Sequence, residues 1–279
     1  MSMRNNQLSL TRKVILAPHL VWCVLFIIVP LLFVVYYTFT DANGAFTMAN
    51  IQYLMTKEVL YTFRNSILYA VAATVISLIV GYPVALVISR LTERNRSLMT
   101  TLIMVPMWVC FIIRTYTIKN IFNDNGIINN LLQNMGLDPI KFMGTPGLII
   151  FGMVYDFLPY MIIPICTVLS GIDKRYIEAS YDLGCSPAKS FLKVIFPLSL
   201  SGVISGITMV FVPAISTFYI SSTLSSGKIA LVGDKIEAAF LSESNYNRGS
   251  ALSLVLMIMI LVCLFVMNKF GNKESESMV

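Results

Sequence analysis

The stretch Asp173-Lys-Arg-Tyr-Ile-Glu178-Ala-Ser-Tyr-Asp-Leu-Gly184-Cys-Ser-Pro187-Ala-Lys-Ser-Phe-Leu-Lys-Val-Ile-Phe-Pro197 is a hydrophilic interruption between two long apolar runs. Its punctuation is that of helix ends: Asp173 is a residue type that caps a helix start, Gly184 a residue type that stops one, and Ser186-Pro187 a pair that restarts one. The pattern predicts a short helix, a turn and a second short helix. In the first, Lys174, Glu178 and Asp182 share one face, opposite Tyr176, Ala179, Ser180 and Leu183. In the second, Ala188, Phe191, Leu192 and Ile195 form one stripe, with Lys189 and Lys193 on the polar face. A helix needs about 20 apolar residues to cross a bilayer. Both are therefore expected to lie along its surface or to dock on a partner.

The composition sets the class. With 57% hydrophobic and 12% charged residues and a mean hydropathy of +0.78, the chain is far more apolar than a soluble domain, where about 25% of residues are charged. Six apolar stretches, 16–39, 66–89, 98–118, 146–169, 198–220 and 251–267, are each long enough to span as a helix. The reading is an all-α integral membrane protein with six transmembrane helices. The first apolar run, about 24 residues, exceeds the roughly 7–15 of a signal-peptide core, so an uncleaved anchor is expected.

A net charge of +6 raises nucleic acid as a partner, but the distribution argues for a membrane instead. With the N-terminus inside, twelve Lys and Arg fall in cytoplasmic tails and loops and seven in outer ones. By the positive-inside rule both termini and the stretch 173–197 are cytoplasmic.

Within that stretch the spacing Glu178-Ala179-Ser180, three residues, Gly184, nine residues, Val194, one residue, Phe196-Pro197 resembles the EAA loop, E-A-A-x3-G-x9-I-x-L-P, of the permeases of bacterial ABC importers. Ser180, Val194 and Phe196 depart from it while keeping small or apolar character. A second set of residues narrows the resemblance. Val105-Pro106-x-Trp108, Ile113-Arg114-x-Tyr116, Gly126 and Asn129-Asn130-Leu131-Leu132 are similar to the first of the two permeases of spermidine/putrescine importers, over about residues 14–268.

The resemblance implies a type I ABC importer permease fold in a bacterial cell membrane. Residues 1–15 would be a cytoplasmic tail, 16–39 the first transmembrane helix, 62–268 the importer transmembrane domain containing the loop 173–197, and 269–279 a cytoplasmic tail. It implies a function as the permease subunit of an ATP-driven importer for polyamines, or alternatively for another small solute or cation. The partners implied are a second permease in a heterodimer, two ATP-binding cassette ATPase subunits and an extracytoplasmic polyamine-binding protein. Glu178, Ala179, Ser180, Gly184 and Pro197 would form the coupling helices that meet the ATPase.

Enzymatic chemistry is not indicated. Gly227-Lys228 is followed by Ile and lacks the upstream glycine of a phosphate-binding loop. One histidine, His19, and five scattered cysteines offer no metal-ligand spacing, and no cofactor is expected. Asp156 lies inside an apolar stretch, flanked by Tyr155 and Tyr160, and a carboxylate at such depth normally faces a partner or a path. Arg114 is about 4 residues from the outer end of its span and Asp156 about 10 from the end of its own, a depth difference of roughly 9 Å for straight helices. That favours a cation pathway at Asp156 over an ion pair with Arg114, with Trp108, Tyr155, Tyr160 and Tyr219 offering aromatic faces to a passing ammonium. Pro159 and Pro164 release the carbonyls of Tyr155 and Tyr160, and Gly202 and Gly206 form a small-xxx-small face for close helix packing.

The topology is checked by single-cysteine labelling. Cysteines at 130 and 230 should react from outside, and cysteines at 94 and 189 only from inside; the reverse pattern refutes the orientation.

Overall fold

The computed structural model describes residues 18–277, which are overwhelmingly helical. Among them the one β pairing is an isolated antiparallel bridge between Thr40 and Phe46. In chain order the helices are α1 (Pro18–Thr38), α2 (Ala49–Leu54), α3 (Lys57–Ser89), α4 (Glu93–Trp108), α5 (Phe111–Phe122), α6 (Ile127–Asn134), α7 (Pro146–Gly171) and α8 (Lys174–Asp182). They are followed by α9 (Pro187–Ser216), α10 (Tyr219–Leu224), α11 (Val232–Glu237) and α12 (Tyr246–Ser277). Five of these are long and apolar enough to cross a membrane, α1, α3, α7, α9 and the Tyr246–Met267 part of α12. The count reaches six when α4 and the helical stretch Phe111–Asn134, bent by 83° to each other, are taken as one broken span.

That bend corrects the third span. The sequence reads 98–118 as one straight helix, but Val109 and Cys110 are extended (φ −76°, ψ 136° and φ −52°, ψ 131°) and α5 starts in a new direction. Pro106, which supplies no N–H to the carbonyl four residues earlier, weakens the end of α4. The fifth span also differs: α9 ends at Ser216, Thr217 is extended, and α10 follows as a separate helix. The second span starts earlier than read, since α3 already begins at Lys57.

The chain divides into two compact units. The first runs to Val59 and includes Ile236–Met257. It is tied by two asparagines: Asn50 Nδ2 donates to the carbonyls of Thr38 and Thr40, each at 3.0 Å, and Asn247 Nδ2 donates to Thr40 O at 2.6 Å and Tyr37 O at 3.1 Å. Each closes backbone carbonyls that the end of α1 leaves open. Asp41 to Gly44 is the turn its composition indicates, with Asp41 Oδ1 accepting from the N–H groups of Asn43 and Ala45, each at 2.9 Å. The apolar window of α1 is unburied, which leaves its side chains for lipid or another chain.

The second unit, from Leu60 to Lys235 with the chain from Ile258 onward, is built on α7 and α9. Thr145 Oγ1 caps α7 by accepting from Leu148 N at 3.4 Å, with Pro146 in the first turn where its missing N–H costs nothing. Ile149, Met153, Met161, Ile165, Val210 and Ile215 are fully buried between these helices and their neighbours. The small-residue face is where they meet. A Cβ on Gly202 would lie 2.9 Å from Pro164 O, and one on Gly206 would lie 2.8 Å from Met161 Sδ and 3.2 Å from Met161 O. Tyr82 on α3 joins α9 through a hydrogen bond of 2.8 Å with Ser199 Oγ. Ser66 Oγ accepts from Val232 N at 2.8 Å.

Gly206→Leu should lower stability by about 1–3 kcal/mol, the usual range for overpacking, read as earlier thermal unfolding of the protein in detergent. Gly147→Ala, where an added Cβ meets nothing within 4 Å, should leave the transition in place. Equal behaviour of the two variants would refute the close approach.

Candidate functional site

The loop 173–197 folds from the punctuation read in its sequence. Asp173 accepts from Arg175 N at 2.9 Å and opens α8, and Ser186 Oγ accepts from Lys189 N at 3.4 Å to open α9. Between them Gly184 has φ +78°, a left-handed conformation that L side chains disfavour. Its N–H donates to Tyr181 O at 2.9 Å and Cys185 N–H to Ser180 O at 3.0 Å, closing the end of α8. Ser180 and Ser190 are buried, and their hydroxyls meet at 2.6 Å, which fastens α8 to the first turn of α9.

One expectation for this loop changes. The second helix is not short: it runs without interruption from Pro187 through a π turn at Phe191–Ile195 into the fifth span. Of the residues placed opposite the charged face of α8, only Ser180 is buried, while Leu183 is 84% exposed and Tyr176 61%. Ala179 and Glu178 are exposed too, and Glu178 forms no ion pair among the described residues. On α9, Ile195 is buried but Leu192 is 64% exposed. The loop thus presents large apolar side chains together with charges to its surroundings, a surface composition suited to docking. Pro197 lies two residues past the π turn and is partly buried. Beside α8 is a cavity of ≈ 640 Å³ walled by Arg90, Glu93 and Arg96 on one side and Lys174, Glu178 and Tyr181 on the other. It separates the loop from the α3–α4 turn.

The second candidate region is the elbow between α4 and α5. Arg114 lies one turn past the break, its N–H donating to Cys110 O at 3.1 Å. Its Nη1 is 3.0 Å from Asp156 Oδ1, with side-chain exposures of 10% and 0%. This overturns the depth argument that placed the two out of reach, which assumed a straight third span; the 83° bend invalidates it. The pair is close but poorly aligned. Neither Asp156 Oδ1 nor Arg114 Nε has a hydrogen-bond partner among the described residues, whereas Asp156 Oδ2 shares the Thr115 hydroxyl, at 3.3 Å, with Phe111 O, at 3.1 Å.

Of the aromatic residues singled out, Tyr219 stands at the start of α10 and packs its ring on Phe111, 6.1 Å between centroids. Phe111 is also 6.0 Å from the Arg114 guanidinium carbon. Trp108, the last residue of α4, is 74% exposed, and Tyr155 and Tyr160 on α7 are 45% and 40% exposed. The structure therefore gathers Arg114, Asp156, Phe111 and Tyr219 at the elbow and leaves Trp108, Tyr155 and Tyr160 on open faces. Thr115 and Phe111 are missing from the sequence-derived set; the spacing signal for Thr115, adjacent to Arg114, requires the bend to be known.

Residues 89–271 match the family described as binding-protein-dependent transport system inner membrane component. The spermidine/putrescine transport system permease protein PotB of Haemophilus influenzae is 32% identical over 287 residues, covering 99% of each chain. PotB of Escherichia coli K12 is 33% identical over 266 residues, covering 91% of this chain and 97% of its own. A bacterial ABC transporter that imports the acidic polysaccharide alginate superposes with a TM-score of 0.83 over 97% of this chain and 98% of that one. At 13% identity that likeness speaks for the fold alone, an ABC importer permease fold. On these matches this chain belongs to the binding-protein-dependent inner membrane transport permeases, a multi-pass family whose members are transport components and not enzymes.

Proposed function

We propose that this chain is the permease subunit of an ATP-driven importer of spermidine and putrescine, pairing with a second permease and driven by two separate ATPase subunits. The observation that carries the substrate class is the identity of 32% to a spermidine/putrescine permease across 99% of both chains. An extracytoplasmic binding protein delivers the polyamine. The termini and the loop 173–197 face the cytoplasm, where Glu178, Ala179, Ser180, Gly184 and Pro197 couple to the ATPase. Exposed Leu183, Tyr176 and Leu192 support this reading, since large apolar side chains in water are stabilised by burial against a partner. So does the continuity of α9, which turns a push on the loop into a displacement of a membrane helix. Trp108, Tyr155, Tyr160 and Tyr219 line the polyamine path, their ring faces attracting ammonium groups.

Uptake of radiolabelled spermidine and putrescine in a bacterial strain lacking its own importers tests the function. The complete importer should restore uptake of at least one, and the importer without this chain should restore neither. No polyamine uptake by the complete importer refutes the reading.

Coupling is tested at Gly184. No atom lies within 4 Å of an added Cβ there, so Gly184→Val should act through the backbone alone, costing about 1–2 kcal/mol for the left-handed conformation. Substrate-stimulated ATPase activity should fall while membrane insertion is unchanged, and Gly184→Asn, which tolerates that conformation, should be milder. Glu178→Lys should lower the same activity. Full ATPase stimulation in both Gly184→Val and Glu178→Lys would exclude the loop from coupling.

A further inference from the structure

The Arg114–Asp156 pair is unusual in how little it is satisfied. Asp156 is wholly covered, yet one of its oxygens has no aligned donor among the described residues, and Arg114 Nε lacks an acceptor although the side chain is only 10% exposed. A buried ion pair offsets its desolvation only when geometry and additional hydrogen bonds are good. Here the attraction is held by proximity, and one lone pair of the carboxylate remains unused. The Arg114 side chain retains a little access and the Asp156 carboxylate has none, so a cation that reaches Asp156 Oδ1 must displace a neighbour, and Arg114 Nη1, 3.0 Å away, is the charged one.

The surroundings of the pair are built from two broken spans. Phe111 opens α5 just after the break at Val109 and Cys110, and Tyr219 opens α10 just after the break at Thr217 and Phe218. Their rings touch, and Phe111 faces the guanidinium. Non-helical backbone at membrane depth is tolerated where it is buried in protein or lines a water-filled cavity. Two breaks whose following helices pack together mark such a place.

We propose that Asp156 is an ammonium-exchange site in which Arg114 is the resident counter-cation. This rests on the polyamine reading. An entering ammonium group displaces the guanidinium, donates an N–H to the unused lone pair of Asp156 Oδ1, and is held against the faces of Phe111 and Tyr219. Arg114, on its long stem, moves outward with its charge. No bond is made or broken. One cation replaces another, so no unpaired charge is left among the helices, where it is costly. The return of Arg114 expels the ammonium and keeps the site from becoming a trap. Thr115, holding Oδ2, is the positioning residue that keeps Oδ1 turned toward the exchange.

The test uses the complete importer with its binding protein in proteoliposomes, with radiolabelled spermidine and putrescine. Asp156→Asn should lower kcat/KM about tenfold with assembly intact. Arg114→Gln should lower both KM and kcat, by about threefold or more each, because the bound ammonium is no longer displaced. The double variant should stay as defective as Asp156→Asn. A purely structural pair predicts the opposite: the double variant, free of unpaired charge, recovers wild-type uptake, and KM is unmoved in Arg114→Gln. Either result overturns the exchange while leaving the importer function standing. Should a single variant fail to assemble, Thr115→Val, which keeps both charges, decides: KM should rise about threefold, and an unchanged KM overturns the proposal. No polyamine uptake by the wild-type importer overturns the function, and the exchange with it.

Discussion

The close approach of α7 and α9 at Gly202 and Gly206 is the contact on which the larger unit depends. In lipid no hydrophobic force drives helices together, because the tails are as apolar as the side chains. Association then rests on dispersion at short range, which the missing Cβ atoms permit by setting the backbone of α9 on Pro164 and Met161. Since α9 begins at Pro187 and has no break before Ser216, this one contact also fixes the direction in which the loop 173–197 leaves the bundle. The buried Ser180–Ser190 hydrogen bond extends the same rigid connection to α8. A continuous run of packed or bonded elements therefore joins the exposed loop to the helix that carries Asp156.

Two prolines near helix junctions, Pro197 and Pro106, are handled differently. Pro197 would clash with the carbonyl of Lys193 in a regular α-helix, and the π turn at Phe191–Ile195 provides the wider turn there. Pro30 in α1 follows a π turn at Val24–Ile28 in the same way. Helix continuity is kept in both cases, which lets the loop and the fifth span act as one body. Pro106 receives no such turn, and α4 ends two residues later.

This is also where legibility ends. The helix start at Asp173, the left-handed Gly184, the restart at Ser186-Pro187 and the small face of Gly202 and Gly206 were all readable, because each depends on chemistry within a few residues or on one helical period. The fourth span was readable nearly to its ends, since Thr145-Pro146 is a local cap signal. The elbow was not. Pro83, Pro159 and Pro164 sit in helices that continue, so a proline does not by itself announce a break. What selects the break near Pro106 is tertiary: α5 is held away from the axis of α4 by Arg114 and Thr115 on Asp156 and by its packing on α10. What covers Tyr176 and Leu183 was not readable for a related reason. Helical periodicity identifies an apolar face but not whether this chain or another one covers it.

The failure of the depth estimate for Arg114 and Asp156 shows how a bend changes the electrostatics of a membrane protein. Counted along straight helices, each charge would need its own escape from hydrocarbon, the arginine by reaching outward and the carboxylate by facing water. Bending the third span lets one turn of α5 answer both needs: Arg114 and Thr115 arrive together at a carboxylate that α7 carries inside the core. The site is neutral in sum, which lowers the cost of keeping ions among apolar helices. The exposed charges of Glu178, Lys174 and Asp182 lie on a surface loop where water already solvates them. Charge is thus left to water on the surface loop and paired at the elbow.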